Sequence, residues 1–298
     1  MKTIYISFDM EGFIGISHSQ QAFPETPVQY TEYKHALTRV KYTFDTLFKE
    51  VPELATYSIL INDAHASMQN LFLADVNLPH NVQVRSGKPK MFGMMSGIEQ
   101  GMAATFLLGY HAKARSHRAG LAHTFTNDIA DLCLNNVSLG EAGMSLLLSE
   151  LGFGVPVKLT YGDDALGREL TALYPDRHSH IQSKQSIGWH CAQGPTHDLT
   201  ELIAGVKQVL KDIETSALAV TSDAHPDYLS IAGPWILDMQ THSPLVADVI
   251  ELLPHSQRID GVTVRLPLHV NGSVQDRMRE VYQITQCAYS LGMYHKFS

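Results

Sequence analysis

The chain has 298 residues, enough for one large α/β domain or two smaller ones with a sizeable core. Its 22 basic and 30 acidic residues leave a net charge of −8, and the basic residues form no long block. That balance argues against a nucleic acid or an anionic membrane surface as the main partner, and 44% apolar residues are ordinary for a soluble protein.

The first element is Ile4-Tyr5-Ile6-Ser7-Phe8, a β-branched and aromatic run that reads as a buried strand. It leads into Asp9-Met10-Glu11-Gly12, where two carboxylates fall two residues apart. In extended chain, positions i and i+2 share a side, so Asp9 and Glu11 project together. Like charges that close repel unless a proton or a cation lies between them, although a strand-end turn with two solvated acids is the alternative. Past a polar loop with Pro24 and Pro27, Tyr33, Leu37, Val40, Phe44, Leu47 and Phe48 recur at helical spacing. Pro52 stops that helix and Tyr57–Ile61 reads as a strand, completing a βαβ unit with parallel pairing.

A short strand is expected at Val82–Val84. Met91 to Met102 reads as a helix on the sheet, its methionines serving as core filler. Thr105–Leu108 is the next strand, ending in Gly109-Tyr110-His111. Ala142 to Leu151 reads as a helix, and Val157–Tyr161 as a strand ending in Gly162-Asp163-Asp164. The alternation is that of an α/β fold, an open and mostly parallel sheet with helices on both faces.

The last third changes texture. Helices are expected at Leu199 to Ile213, Leu245 to Leu253 and Val274 to Leu291, with strands at Leu218–Val220, Ile236–Met239 and Val262–Leu266. This reads as a smaller C-terminal α+β unit. The polar stretch with Gly188, Gly194 and Pro195 marks the change, giving a metal-binding catalytic α/β domain at 1–194 and a smaller domain at 195–298. Cys133, Cys191 and Cys287 are widely spaced with no C-x-x-C pair, so no disulfide framework is expected. No apolar run reaches transmembrane length and the chain begins directly with a strand pattern, so a cytoplasmic protein is the expectation.

Ligands of open α/β sheets bind beyond the carboxyl ends of parallel strands, which selects the polar residues found there. The second strand runs into Asn62-Asp63-Ala64-His65 and the fourth into His111, while Glu141 opens a helix in Leu139-Gly140-Glu141-Ala142-Gly143. Asp9, Glu11, His65, His111 and Glu141 then converge. Three carboxylates and two imidazoles suit divalent transition metals, zinc above all in a hydrolase. Five ligands are too many for one catalytic zinc that keeps an open position, but they fit two ions with Asp9 bridging. Sixteen histidines make chance placement near a loop common, and His123, twelve residues past His111, reads on its own as structural. Asp163 and Asp164 read as helix caps before they read as ligands. Ser222-Asp223-Ala224-His225 repeats the Asp63-Ala64-His65 core, but a proline follows it and it reads as a surface loop.

The ordered set S-F-D-M-E-G (7–12), I-N-D-A-H-A-S-M (61–68), L-G-Y-H-A-K-A (108–114), G-L-A-H-T (120–124), G-E-A-G-M (140–144) and G-D-D (162–164) resembles the D-aminopeptidase family of zinc metallopeptidases. Lys184-Gln185 echoes a further pair, and the likeness covers roughly the first 190 residues before loosening. The resemblance implies two zinc ions per subunit on Asp9, Glu11, His65, His111 and Glu141, with His123 as the catalytic histidine. It also implies removal of an N-terminal D-amino acid from short peptides, inside a large closed homo-oligomer, a decamer. Hydrolysis would use a dimetal-activated water, with His123 taking the water's proton or hydrogen-bonding the oxyanion. Two rivals remain: another dimetal hydrolase, amidase or phosphoesterase, and a non-enzymatic peptide- or metal-binding component of a transport system. No glycine-rich phosphate loop supports the phosphoesterase, and a binding component has little use for an uncoordinated His123.

Overall fold

Thr3–Phe8 forms β1, and its alternation assigns the two faces of the molecule. Ile4, Ile6 and Phe8 enter one core and Tyr5 the other, all buried, because successive strand side chains point to opposite faces. The computed structural model describes residues 1–174, 179–215, 234–269 and 271–293. The expected strand at Leu218–Val220 and the Ser222–His225 loop lie outside the described residues.

In chain order the remaining elements begin with α1 (Ser19–Ala22), α2 (Gln29–Glu50), β2 (Ser58–Asp63), α3 (Asn70–Leu73), β3 (Val82–Arg85) and β4 (Ala104–Tyr110). Next come β5 (Ile129–Leu134), β6 (Val137–Ser138), α4 (Glu141–Leu147), β7 (Val157–Asp163), α5 (Asp164–Leu173), β8 (Ser179–Gly188) and β9 (Cys191–Gln193). The chain continues through α6 (Thr200–Thr215), β10 (Leu237–Thr241), α7 (Pro244–Glu251), β11 (Gln257–Arg258), β12 (Thr263–Leu266) and α8 (Val274–Gly292).

A seven-stranded sheet has the order β3-β2-β1-β4-β7-β8-β9. All its pairings are parallel except that of β8 with β9. The chain leaves β1 for β2 on one side and returns to β4 on the other, so the switch point lies between β1 and β4. One face packs on α2 and α6 through Leu37, Val40, Phe44, Leu202 and Val206. The other packs on α4, α5 and α8 and on a five-stranded antiparallel sheet, order β11-β12-β10-β5-β6. This smaller sheet takes strands from either side of residue 194, and α6, which follows that point, packs on the large sheet. Among the described residues no helix is long and apolar enough to cross a membrane.

Met91 to Met102 is not a helix. Only a 3-10 turn at Gly93–Met95 forms, because Gly93, Gly97 and Gly101 take left-handed backbone (φ +42°, +90° and +91°) and interrupt the helical repeat. Met94 and Met95 are nonetheless buried in the core, whereas Met91 is exposed.

Candidate metal centre

Two glycines bring the ends of β1 and β4 together. Gly12 N donates to Gly109 O at 2.7 Å, and Asp9 N to Leu108 O at 2.8 Å. A Cβ on Gly12 would stand 1.9 Å from Tyr110 O, and one on Gly109, at φ +79°, would stand 2.1 Å from Asp9 O. Only glycine permits this approach. The crossing places Asp9 and Glu11 beside His111.

His65 arrives from the loop after β2. Asp63 is not spare at that strand end: its carboxylate accepts from Asn70 Nδ2 (2.8 Å) and Leu71 N (2.9 Å), holding the loop that carries His65. Glu141 opens α4, and its Oε1 accepts from Phe125 N. Asp163 caps α5 by accepting from Leu166 N at 2.9 Å, and its other oxygen accepts from Ser186 Oγ at 2.6 Å. Asp164 accepts from Ser186 N at 2.6 Å. Asp163 has the capping role that its sequence position suggested, whereas Asp164, the first residue of α5, ties the helix to β8 and pairs with Arg168; neither joins the cluster described next.

Asp9, Glu11, His65, His111, Glu141 and His123 meet in one buried cluster. Potential ligand atoms of three triads each lie within 4.8 Å of one another: Asp9, Glu11 and His65; Asp9, His111 and Glu141; Glu11, His111 and His123. His65 Nδ1 is 3.0 Å from both Asp9 Oδ1 and Glu11 Oε2. His111 Nε2 is 3.6 Å from both Asp9 Oδ2 and Glu141 Oε2. His123 Nε2 is 3.5 Å from Glu141 Oε1 and 4.0 Å from Glu11 Oε1.

All three imidazoles are oriented in the same way. His65 Nε2–H donates to Ala22 O (2.9 Å), His111 Nδ1–H to Ala112 O (2.9 Å) and His123 Nδ1–H to Leu121 O (2.8 Å). A carbonyl only accepts, so these nitrogens carry the hydrogens and each neutral ring turns a lone pair toward the carboxylates. Asp9 Oδ2, both Glu11 oxygens and His111 Nε2 are buried without a hydrogen-bond partner. Acceptors aimed at acceptors in a dry site require positive charge between them, and oxygen and imidazole nitrogen donors fixed by outer hydrogen bonds are what zinc takes. The residues therefore fit a divalent ion.

Without an ion, the crowding of carboxylates is relieved instead by protons on the histidines. Burial and the neighbouring Glu11 carboxylate push Asp9 upward. Burial would do the same to Glu11, but His65, His111 and His123 outweigh it and hold Glu11 well below the carboxylate range. Burial works against charge on His65 and His111, yet Glu11 and Asp9 around the first and Glu141 and Glu11 around the second hold both well above the imidazole range. His123 goes the other way: burial, then the neighbouring His111, lower it despite Glu141 and Glu11.

Two supports carry no strong sequence signal. Lys184, buried in β8, donates from Nζ to Phe13 O at 3.0 Å and to Glu11 O and Ile16 O, which holds the loop bearing Glu11. Glu169, in α5, accepts from Lys113 N at 2.7 Å, and its other oxygen fills the space beside Gly140. It thereby joins the segment after His111 to the one before Glu141. A polar strand with a buried lysine breaks the usual alternation, and the Lys184-Gln185 echo was its only trace. Nothing in the α5 pattern distinguishes Glu169 from a surface acid.

Comparison with known proteins follows the same lines. The family model described as D-aminopeptidase, peptidase family M55, matches residues 1–285. A D-aminopeptidase of Bacillus subtilis (strain 168) is 27% identical over 175 residues, an alignment spanning 58% of this chain and 60% of that protein's length. The solved zinc-dependent D-aminopeptidase DppA of Bacillus subtilis, described as a self-compartmentalizing protease, superposes with a TM-score of 0.78. That match is 22% identical, covers 98% of each chain and establishes a shared fold.

Proposed function

The chain belongs to the D-aminopeptidase family, peptidase family M55, and from that premise we propose that it is a zinc-dependent aminopeptidase that removes an N-terminal D-amino acid from short peptides. The observation that carries the reading is the pair of buried triads sharing Asp9, with lone pairs of three imidazoles turned inward. Asp9, Glu11 and His65 would hold one zinc ion, and Asp9, His111 and Glu141 a second. When bound there, zinc supplies a Lewis acid for the scissile carbonyl and brings the acidity of water to about pH 7.

The protein's own part begins with His123. Its hydrogen bond to Leu121 O fixes the tautomer, so Nε2 faces the cluster as a base. That nitrogen accepts the proton released by the attacking water and returns it to the leaving amine, which balances the hydrolysis. His123 is 8% exposed while the five proposed ligands are 3% or less, so the cluster meets its substrate at His123. A free peptide amine would face that same centre, where its lone pair is a ligand for zinc.

The same reading extends to assembly and location. The family likeness and the self-compartmentalizing relative support a closed homo-oligomer, a decamer, and sedimentation giving only monomer would remove that part alone. Three free cysteines support a reducing, cytoplasmic setting. Zinc titration of the purified chain tests the core of the proposal: two ions per chain are expected, and one or none would contradict it.

A further inference from the structure

The cluster opens through His123 into a cavity of about 290 Å³ whose wall includes Arg115, Asn127, Trp189 and His242. No aspartate or glutamate lines it, so no acid in its wall opposes Arg115. Arg258, Arg265 and Arg168 are each paired with a carboxylate. Arg115 instead donates from Nη1 to the neutral amide oxygen of Gln240 at 2.8 Å. This bond orients the guanidinium while leaving its charge uncompensated by that partner.

The surrounding backbone is built for the placement. Arg115 itself has φ +64°, left-handed backbone that a side-chain-bearing residue rarely adopts, and Leu121 and Phe125 on either side of His123 share it (φ +52° and +59°). Gln240 lies where the β10–β5 register shifts, between Gln240 and Thr241, a bulge of the kind that re-aims side chains. His242 follows directly and turns to the same cavity.

We infer that this cavity is a carboxylate subsite, in which Arg115, held by Gln240, receives the C-terminal carboxylate of a dipeptide whose free amine faces the proposed metal centre. The inference rests on the aminopeptidase reading and adds its substrate class: a short peptide recognised at both its free amine and its free carboxylate. Two residues span roughly 7 Å when extended, which suits a cavity of this size between the metal centre and one arginine. A guanidinium takes a carboxylate through two parallel N–H bonds, which a C-terminal amide cannot reproduce. Trp189 supplies an apolar wall. Longer peptides place their carboxylate beyond Arg115 and lose this contact.

The test compares D-Ala-D-Ala with its C-terminal amide on zinc-loaded full-length protein, by kcat/KM and by calorimetric binding, for the wild type, Arg115→Ala and Gln240→Ala. The wild type should favour the free acid by about 10-fold or more in both readouts. In Arg115→Ala the loss on the acid should exceed the loss on the amide by about that factor, appearing in KM, and Gln240→Ala should lose part of the preference. Thermal melting checks that both variants are folded. Equal handling of acid and amide by the wild type, or equal losses on both in Arg115→Ala, overturns the subsite and leaves the aminopeptidase reading standing. If neither peptide is cleaved but calorimetry shows the acid preference and its loss in Arg115→Ala, the subsite stands and the catalytic reading falls.

Discussion

The imidazole of His123 lies stacked on that of His111, ring centroids 4.3 Å apart and planes 18° from parallel. The two rings face different pairs of carboxylates. His111 directs Nε2 at Asp9 and Glu141, whereas His123 directs Nε2 at the rim shared by Glu11 and Glu141. On the proposed reading His111 is the ligand and His123 the proton acceptor.

The first prediction separates those tasks. His123→Ala should keep its fold and its zinc while kcat falls at least about 10²-fold, with little change in KM. Metal analysis alongside steady-state kinetics reads both. Loss of zinc in this variant would make His123 a ligand instead.

Asp9 belongs to two triads and His65 to one. Asp9→Ala should therefore lose both ions, and His65→Ala should retain the one held by Asp9, His111 and Glu141. Zinc content per chain after dialysis distinguishes them, and equal losses in the two variants would contradict the sharing of Asp9.

Gly109→Ala tests the backbone crossing that assembles the centre. The added methyl group meets Asp9 O and the Phe13 ring, both at 2.1 Å, on left-handed backbone. A destabilisation of at least about 2 kcal/mol is expected, together with weakened zinc binding. Denaturant unfolding of the variant within error of the wild type would show that the crossing relaxes without cost.

Glu169 touches no proposed ligand but ties down the backbone beside two of them. Glu169→Ala should weaken zinc at the His111–Glu141 site by about 10–100-fold, and Glu169→Gln, which retains an acceptor, should recover part of that. Zinc titration against a competing chelator reads the difference.

Much of this centre was legible before the fold. The strands that carry Asp9, His65 and His111 are buried on both faces, so each is an apolar run ending abruptly in polar residues, and the parallel-sheet rule brings such ends together. The hairpin β5–β6 was missed although Asn135 and Asn136, both left-handed at φ +50° and +64°, form a turn between its strands. β8 was missed because Ser183, Lys184 and Ser186 are buried there, reversing the hydrophobic pattern that identifies strands. His123 could be separated from the other histidines only by the family resemblance, since its position depends on a loop with left-handed residues that no periodicity reveals.

Removing zinc should also lower stability, because the ion offsets three buried carboxylates. At a free zinc concentration of ~1,000 times Kd the linkage is worth about 4 kcal/mol, so a strong chelator should lower Tm by several degrees and added zinc should restore it. An unchanged melting curve would argue that no ion is held by the cluster.

The central claim is tested most directly by hydrolysis of D-Ala-D-Ala and L-Ala-L-Ala under identical conditions, before chelation, after it and after zinc is returned. The account predicts cleavage of the D,D-dipeptide in preference to the L,L-dipeptide, abolished by the chelator and recovered with zinc. Cleavage of the L,L-dipeptide alone, or turnover that persists after complete removal of metal, would contradict it.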